Sequence, residues 1–219
     1  KSTVHRLLTV LKRYGYVRQD DASGAYYLGY RVILLARQAT DETLLVRVAH
    51  PILVELARLT QETVFLTVAH EFESVCLDKV EASQPVRLTL EVGKRSPLHL
   101  GASNRILLAF LPPQRQRLVV ERWLEDARER AHLMDELAAI RRVGYVYTAS
   151  QLTPGAAALA VPVLDGTTGR AVAGLSIAGP EERFPLDRAL ELLPRLLEAR
   201  DKVAAGLRAP CSSDTYPFS

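Results

Sequence analysis

The chain has few residues of the kinds that mark disulfide-stabilised or membrane-spanning proteins. Its 219 residues include two cysteines, one methionine and one tryptophan. Cys76 and Cys211 lie far apart in different contexts, which argues against a disulfide framework and indicates a reducing compartment. No apolar run approaches the roughly 18 residues of a spanning helix, and no signal peptide precedes the first element. We therefore expect a cytoplasmic protein that makes no membrane contact.

Sequence motifs of common enzyme classes are missing as well. The five histidines include no pair spaced three or four residues apart, and neither a Cys-x-x-Cys nor a Gly-x-x-x-x-Gly-Lys phosphate loop is present. Ser103 and Ser150 lack the Gly-x-Ser-x-Gly context of a catalytic serine. His70, Cys76 and His99 form the one set that could meet in space around a metal, although strand and loop positions suit structural roles equally. We predict no enzymatic activity and no cofactor.

Charge is balanced over most of the chain but not at its start. The first 37 residues contain seven basic and two acidic side chains, a net charge of +5, whereas the remainder carries −2. The overall content of 48% hydrophobic and 24% charged residues is ordinary for a globular protein. A positive head on a near-neutral body favours a polyanionic partner. A solvated charged face is the alternative interpretation.

The first elements predict a short helix followed by a two-stranded ribbon. Ser2 and Thr3 are good N-cap residues, and Gly15 suits a left-handed stop after a helix that runs to about Tyr14. The segments "YVRQ" and "AYYLG" read as strands joined by the turn "DDASG". Apolar residues recur with helical spacing at Val4, Leu7, Leu8 and Leu11. Helix, turn and ribbon together match the second half of a winged helix-turn-helix.

This arrangement suits DNA binding. A recognition helix enters the major groove by its N-terminal end, where short polar side chains and free N–H groups reach phosphates and base edges. A basic residue on the wing adds contacts to the neighbouring backbone. For Arg6, a salt bridge within the domain is an equally good interpretation. The residues predicted to bind DNA are Lys1, Ser2, Thr3, His5, Arg6 and Arg18.

The rest of the chain predicts an α+β domain. A helix begins at Tyr30, is interrupted near residues 40–42 and is tightened again at Pro51. A closing amphipathic helix spans about Leu186 to Leu207, and the tail after it looks unstructured. Between them we expect a helix from about Ser103, one or two more over 115–143, and six strands, the segments "TVFLTVAH", "SVCLDKVE", "RLTLEV", "GYVYTASQL", "AALAVPVLD" and "RAVAGLSIAG". Strands at both ends with helices inserted midway favour a mostly antiparallel sheet.

Three segments resemble a known family. "KSTVHRLLTVLKRYGYVRQDDASGAYYLG" is similar to the recognition helix and wing of IclR-family bacterial transcription regulators, and "SPLHLGASNRILLAFLP" and "VPVLDGTTGRAVAGLSIAGP" resemble landmarks of their effector domain. The resemblance implies a truncated winged helix-turn-helix, its first helices absent from this chain, followed by a GAF-like effector-binding domain. The expected ranges are 1–29 for the DNA-binding part, 30–43 for a linker helix that pairs in a dimer, 44–208 for the effector domain and 209–219 for the tail.

A small-residue loop before the helix at Ser103 is the best candidate for a ligand site. Small side chains let a ligand approach the backbone, and the free N–H groups and dipole of a helix N-terminus favour an anion. A plain N-cap by Ser103 with Gly101 as a turn is the alternative. The resemblance implies a pocket for a small carboxylate or aromatic acid at Leu100, Gly101, Ala102, Ser103, Thr148, Gln151, Ala158 and Ser176.

The chain departs from the family's pattern in ways that bear on the ligand. Thr148 stands where the family often has an acidic residue, and Gln151 where it often has a glutamate. Asn104-Arg105 stands where Gly-Lys is commoner, and Ala178 where serine is usual. The expected pocket is less acidic and more apolar, which favours a larger, partly hydrophobic acid.

The leading hypothesis is a transcription regulator that binds operator DNA and whose homodimer or homotetramer responds to a small organic acid. A GAF-type sensory or metal-dependent catalytic protein that does not act on DNA is the second hypothesis. A scaffold whose basic head contacts a protein is the third.

Overall fold

The computed structural model describes residues 2–35, 44–88, 90–166 and 168–208. The chain divides into two compact units, residues 1–47 and 48–219. The predicted helix break near 40–42, most of the predicted linker helix and the predicted tail lie outside the described residues.

The first unit contains the helix and ribbon that the sequence predicts. Helix α1 (Ser2–Arg13) is followed by strands β1 (Val17–Gln19) and β2 (Tyr26–Leu28), which pair antiparallel. The turn between the strands is closed by Asp20, whose carboxylate accepts hydrogen bonds from the Ser23 N–H and hydroxyl at 2.8 and 2.7 Å. A helical stretch over 30–35 follows.

The second unit is built on a six-stranded antiparallel sheet. In chain order it contains α2 (Leu44–Thr60, which starts in the first unit), β3 (Thr63–His70), β4 (Glu73–Val80), β5 (Arg95–Pro97), α3 (Ala102–Phe110), α4 (Pro113–Trp123), α5 (Ala127–Val143), β6 (Val146–Ala149), β7 (Ala156–Leu164), β8 (Ala171–Pro180) and α6 (Leu186–Arg208). The strands lie in the order β5-β4-β3-β8-β7-β6. This topology confirms the predicted α+β class.

Helices cover the sheet on both sides. Strand β7 is buried at five successive positions, so both of its faces are covered, and α3 and α6 both contact it. The apolar core on the α3 side includes Leu98, Ile106, Leu137 and Ala160. Pro51 lies within α2 without ending it.

One predicted strand is wrong. The segment "RLTLEV" (87–92) has alternating apolar residues, yet none of its described residues lies in a strand, and the place beside β4 is taken by β5. Leu88 and Leu90 instead pack onto a cluster that contains Phe65, Cys76 and Ala178. Alternation arose here because every second side chain covers the sheet, not because the backbone joins it.

Candidate functional site

The second unit contains a cavity. Its floor lies on the sheet, where small side chains stand opposite one another on strands β3, β8, β7 and β6. Residues directly opposite one another on neighbouring strands share a face, and α3 does not cover this part of the face. Alanine at two central positions leaves a hollow that larger side chains would fill. The row across β3, β8, β7 and β6 consists of Thr63, Ala178, Ala158 and Thr148.

Helix α3 begins at the edge of this hollow. It lies above Gly174, where an added Cβ would meet Ile106 and the Ser103 carbonyl at 3.2 Å. The residue before the helix, Gly101, has φ 82° and ψ 157°, a combination that L side chains rarely adopt. The N–H groups of the first turn have no partners inside the helix, and the residues from Gly101 to Asn104 line the space above the floor.

The cavity has a volume of about 100 Å³. It lies between the α3 N-terminus, the residues between β6 and β7, and the non-strand segment that carries Leu88 and Leu90. None of the described residues that line it carries a charged side chain. The lining consists of Phe65, Thr67, Leu88, Leu90, Ser96, Gly101, Ala102, Ser103, Asn104, Thr148, Gln151, Leu152, Thr153, Ala156, Ala157, Ala158 and Ala178.

Three hydrogen bonds hold the α3 N-terminus in place. The hydroxyls of Ser103 and Ser176 are hydrogen-bonded at 2.7 Å. Asn104 donates from Nδ2 to the Leu100 carbonyl at 2.6 Å and accepts at Oδ1 from the Ser74 hydroxyl at 2.5 Å. Because Ser176, Asn104 and Ser74 are buried, these bonds fix the loop against the sheet.

The nearest cation in sequence points away from the cavity. Arg105 donates from Nε to the His99 carbonyl at 2.9 Å and from Nη1 to Glu136 on α5 at 3.0 Å. An anion in the cavity would therefore be met by N–H groups, hydroxyls and amides rather than by a basic side chain.

Six of the eight residues expected at the ligand site line this cavity, namely Gly101, Ala102, Ser103, Thr148, Gln151 and Ala158. The other two lie just behind it. Leu100 offers its carbonyl to Asn104, and Ser176 is fully buried beneath Ser103. The N-cap of α3 is Gly101 and makes no side-chain cap bond, so the alternative of an N-cap at Ser103 is wrong.

Sequence reasoning missed the opposite wall of the cavity. Leu88 and Leu90 lie in the segment that alternation predicts to be a strand, and no motif marks Phe65 or Leu152 as part of a site. The alternation of Leu88 and Leu90 was a usable signal, but it does not reveal which surface the side chains cover.

The structure does not support a metal site formed by His70, Cys76 and His99. Among the described residues, no three His, Cys, Asp or Glu side chains are grouped to hold a metal ion. Cys76 is buried, and burial together with the nearby Asp78 raises its pKa to about 11. His99 stacks on Trp123 with 5.5 Å between ring centroids.

His99 is held neutral by its surroundings. Burial, and secondarily the charge of Arg105, lowers the pKa of its imidazole. Its Nδ1 is buried and has no hydrogen-bond partner among the described residues.

In the first unit, Thr3, His5 and Arg6 are exposed on the first turns of α1. Among the described residues Arg6 makes no ion pair. Arg18 on β1 lies over the Tyr27 ring at 4.6 Å from its centroid. Lys1 and the side chain of Ser2 lie outside the described part of the chain.

No helix within the described ranges is both long and apolar enough to cross a membrane.

Comparison with known proteins covers nearly the whole chain. Residues 37–205 match the family model for the C-terminal domain of bacterial IclR transcriptional regulators, and residues 1–21 match the IclR helix-turn-helix domain. The HTH-type transcriptional regulator KipR of Bacillus subtilis is 33% identical over 90% of this chain and 79% of its own length. The regulator Rv1719 of Mycobacterium tuberculosis is 36% identical over 94% of this chain and 79% of its own.

Solved structures agree with these matches. An IclR homologue from Microbacterium hydrocarbonoxydans, crystallised with 4-hydroxybenzoate, has 26% identity and a TM-score of 0.78, over 95% of this chain and 86% of that one. The chain thus matches both the helix-turn-helix and the C-terminal domain of one family, and it belongs to the IclR family of DNA-binding bacterial transcriptional regulators.

Proposed function

We propose that this regulator senses a small organic acid that binds in the α3 cavity. The carboxylate lies at the N-terminus of α3, where the N–H groups of Ala102 and Ser103 and the Ser103 hydroxyl donate to it. The apolar body of the acid lies on Ala158 and Ala178 beneath Leu88. The single observation that carries this proposal is that Gly101 turns an uncapped helix start toward a hollow floored by alanines.

The charge of the lining limits the acid to a single carboxylate. One anionic group is stabilised at the helix start, but a second would be buried against uncharged side chains, which costs several kcal/mol. The Thr148 hydroxyl has no hydrogen-bond partner among the described residues, so it is available for a neutral polar group. Leu100 and Ser176 support the site from behind. The relative crystallised with 4-hydroxybenzoate binds an acid of this class.

The DNA-binding part of the proposal assigns contacts to the first unit. Thr3 contacts phosphate, His5 and Arg6 reach base edges or backbone, Arg18 lies along the wing, and Lys1 and Ser2 are expected to join them. We further propose that the protein acts in the cytoplasm as a homodimer or homotetramer and has no catalytic activity. Acid binding shifts the populations of arrangements that present two such units to DNA.

Isothermal titration tests the ligand class. We expect 4-hydroxybenzoate to bind at least about tenfold more tightly than 4-hydroxybenzamide, which keeps the shape but loses the charge that the helix start stabilises. Terephthalate, with a second carboxylate, should bind no better than the amide. Equal binding of acid and amide would contradict the proposed anchor.

A variant pair locates the site. Ala158→Leu fills the floor and should abolish binding of 4-hydroxybenzoate, whereas Ala138→Leu, on an exposed position of α5, should leave it unchanged.

Native mass spectrometry of the purified natural protein reports any co-purified acid and the oligomer together. Fluorescence anisotropy with DNA from its own promoter region tests the regulator, and absence of binding at low salt would count against it.

A further inference from the structure

An ion pair between the buried Glu62 and the partly exposed Arg183, whose side chain is 36% exposed, lies behind the wall of the cavity. The Glu62 carboxylate accepts two hydrogen bonds from the Arg183 guanidinium, one from Nε at 2.5 Å and one from Nη2 at 2.8 Å. The Glu62 side chain is only 5% exposed. Gly179 supports this arrangement because a Cβ at that position would meet the Glu62 carboxylate at 2.5 Å.

Arg183 also holds the wall of the cavity, by which we mean residues 86–88 together with Leu90. Its Nη2 donates to the Val86 carbonyl at 3.0 Å. Two residues further on, the Leu88 carbonyl accepts from the Thr63 hydroxyl at 2.9 Å. These two bonds tie a stretch that lies in no strand to the junction between α2 and β3 and to the segment before α6. The donors of a guanidinium lie in one rigid plane. An arginine that gives two hydrogen bonds to a carboxylate therefore fixes the position of a third acceptor, here the Val86 carbonyl, better than a lysine can.

The wall covers both the cavity and the buried cluster that contains Cys76. Leu88 and Leu90 line the cavity, and the same side chains pack on Phe65, Ala178 and Cys76. Cys76 itself is 1% exposed. Because Leu88 and Leu90 pack against the cluster that contains Cys76, we expect a movement that withdraws them to expose the Cys76 thiol.

We propose that Glu62 and Arg183 are positioning residues that hold the wall at residues 86–88 over the α3 cavity and so control entry and release of the acid. The proposal rests on the proposed ligand site for its function, but the holding of the wall can be measured without any ligand. Neither residue lines the cavity, so both act through the wall.

Alkylation of Cys76 by iodoacetamide measures how often the wall opens. The experiment uses the Cys211→Ser chain, in which Cys76 is the sole thiol, because a buried, protonated thiol reacts only when it is uncovered. Arg183→Lys keeps the positive charge beside Glu62 but loses the planar guanidinium that bonds Glu62 and Val86 together. Because this removes a charge-assisted hydrogen bond, we expect the alkylation rate to rise about tenfold. Arg188→Lys is the matched control, because Arg188 pairs with Glu191 on the exposed face of α6.

Low concentrations of urea separate opening of the wall from global unfolding. Local opening exposes little surface, so the excess rate in Arg183→Lys should be nearly independent of urea. If that variant does not fold, Glu62→Gln, which weakens the hold on Arg183 without unpairing a buried charge, should give a smaller acceleration. A rate equal to that of the Arg188→Lys control, or an excess that follows urea as global unfolding does, would overturn the proposal.

A ligand arm separates this inference from the proposed function. With 4-hydroxybenzoate present, Cys76 alkylation should slow in the parent chain, and stopped-flow displacement should show faster release from Arg183→Lys. Protection that is equal in both chains, with equal release rates, would refute control of ligand exchange. If the acid protects neither chain while Arg183→Lys still accelerates alkylation, the wall is held as proposed and the acid assignment is wrong.

Discussion

The hydrogen bond between Ser103 and Ser176 joins the proposed ligand site to the sheet, and its loss should have unequal effects from its two ends. Ser176 is fully buried, whereas Ser103 lines the cavity and can be reached by water. Ser103→Ala therefore leaves a buried hydroxyl without its partner, which costs about 1–3 kcal/mol. Ser176→Ala leaves a hydroxyl that water can solvate, and should cost about 0.5–1 kcal/mol.

A double-mutant cycle isolates the pair. The double alanine variant leaves no hydroxyl unsatisfied, so it should be less destabilised than the sum of the single variants by about 1 kcal/mol. Urea unfolding of the four proteins, followed by circular dichroism, gives each free energy of unfolding, and equal slopes in urea check that the unfolding transitions are comparable.

The same variants report on the ligand. Ser103→Ala should weaken binding of 4-hydroxybenzoate about tenfold, since it removes a direct hydrogen bond to the carboxylate, whereas Ser176→Ala keeps the donor and should weaken it less. Additive destabilisation, or a larger cost for Ser176→Ala than for Ser103→Ala, would refute the reasoning.

Three further predictions concern other parts of the chain. Asp126 accepts hydrogen bonds from the Arg128 and Glu129 N–H groups at the start of α5 at 2.8 and 2.9 Å, so Asp126→Ala should lower the free energy of unfolding by about 1 kcal/mol in urea. The lowered pKa of His99 means that the unfolded chain binds a proton near pH 6.5, before the folded one does, so stability should fall as the pH decreases below about 6.5; His99→Asn should reduce that fall, and an unchanged pH profile would refute the assignment. Arg6→Gln in the natural protein should weaken DNA binding and reduce the dependence of log affinity on log salt by about 0.9 for each phosphate that Arg6 neutralises, which anisotropy at several salt concentrations checks; an unchanged slope would remove Arg6 from the interface.

Local patterns were sufficient for much of the fold. Alternation and turn residues located the β3–β4 hairpin and the three late strands, and the helical spacing of Val4, Leu7 and Leu11 located α1. These features depend on interactions within a few residues, so they can be recognised in a single stretch of sequence. The resemblance of "SPLHLGASNRILLAFLP" to a family landmark brought attention to the α3 start.

The same patterns misled where a segment's partner lies far along the chain. Leu88 and Leu90 alternate as in a strand, but the Leu88 carbonyl accepts from the Thr63 hydroxyl and the nearby Val86 carbonyl accepts from Arg183 instead. Arg105 follows the pocket loop directly in sequence, yet its charge is taken by Glu136 on α5, 31 residues away. None of these three partners could be predicted from neighbouring residues.

The sequence by itself determined most of the helices and strands, the class of sheet and the positive charge of the first unit, because propensity, periodicity and charge are properties of short segments. Only the tertiary structure decided that α3 stops short of a row with two central alanines, that no described residue lining the resulting hollow is charged, and that Arg183 bonds both Glu62 and the Val86 carbonyl. Those features arise from the register of strands that are distant in sequence, and register is set by how the whole sheet and its helices pack.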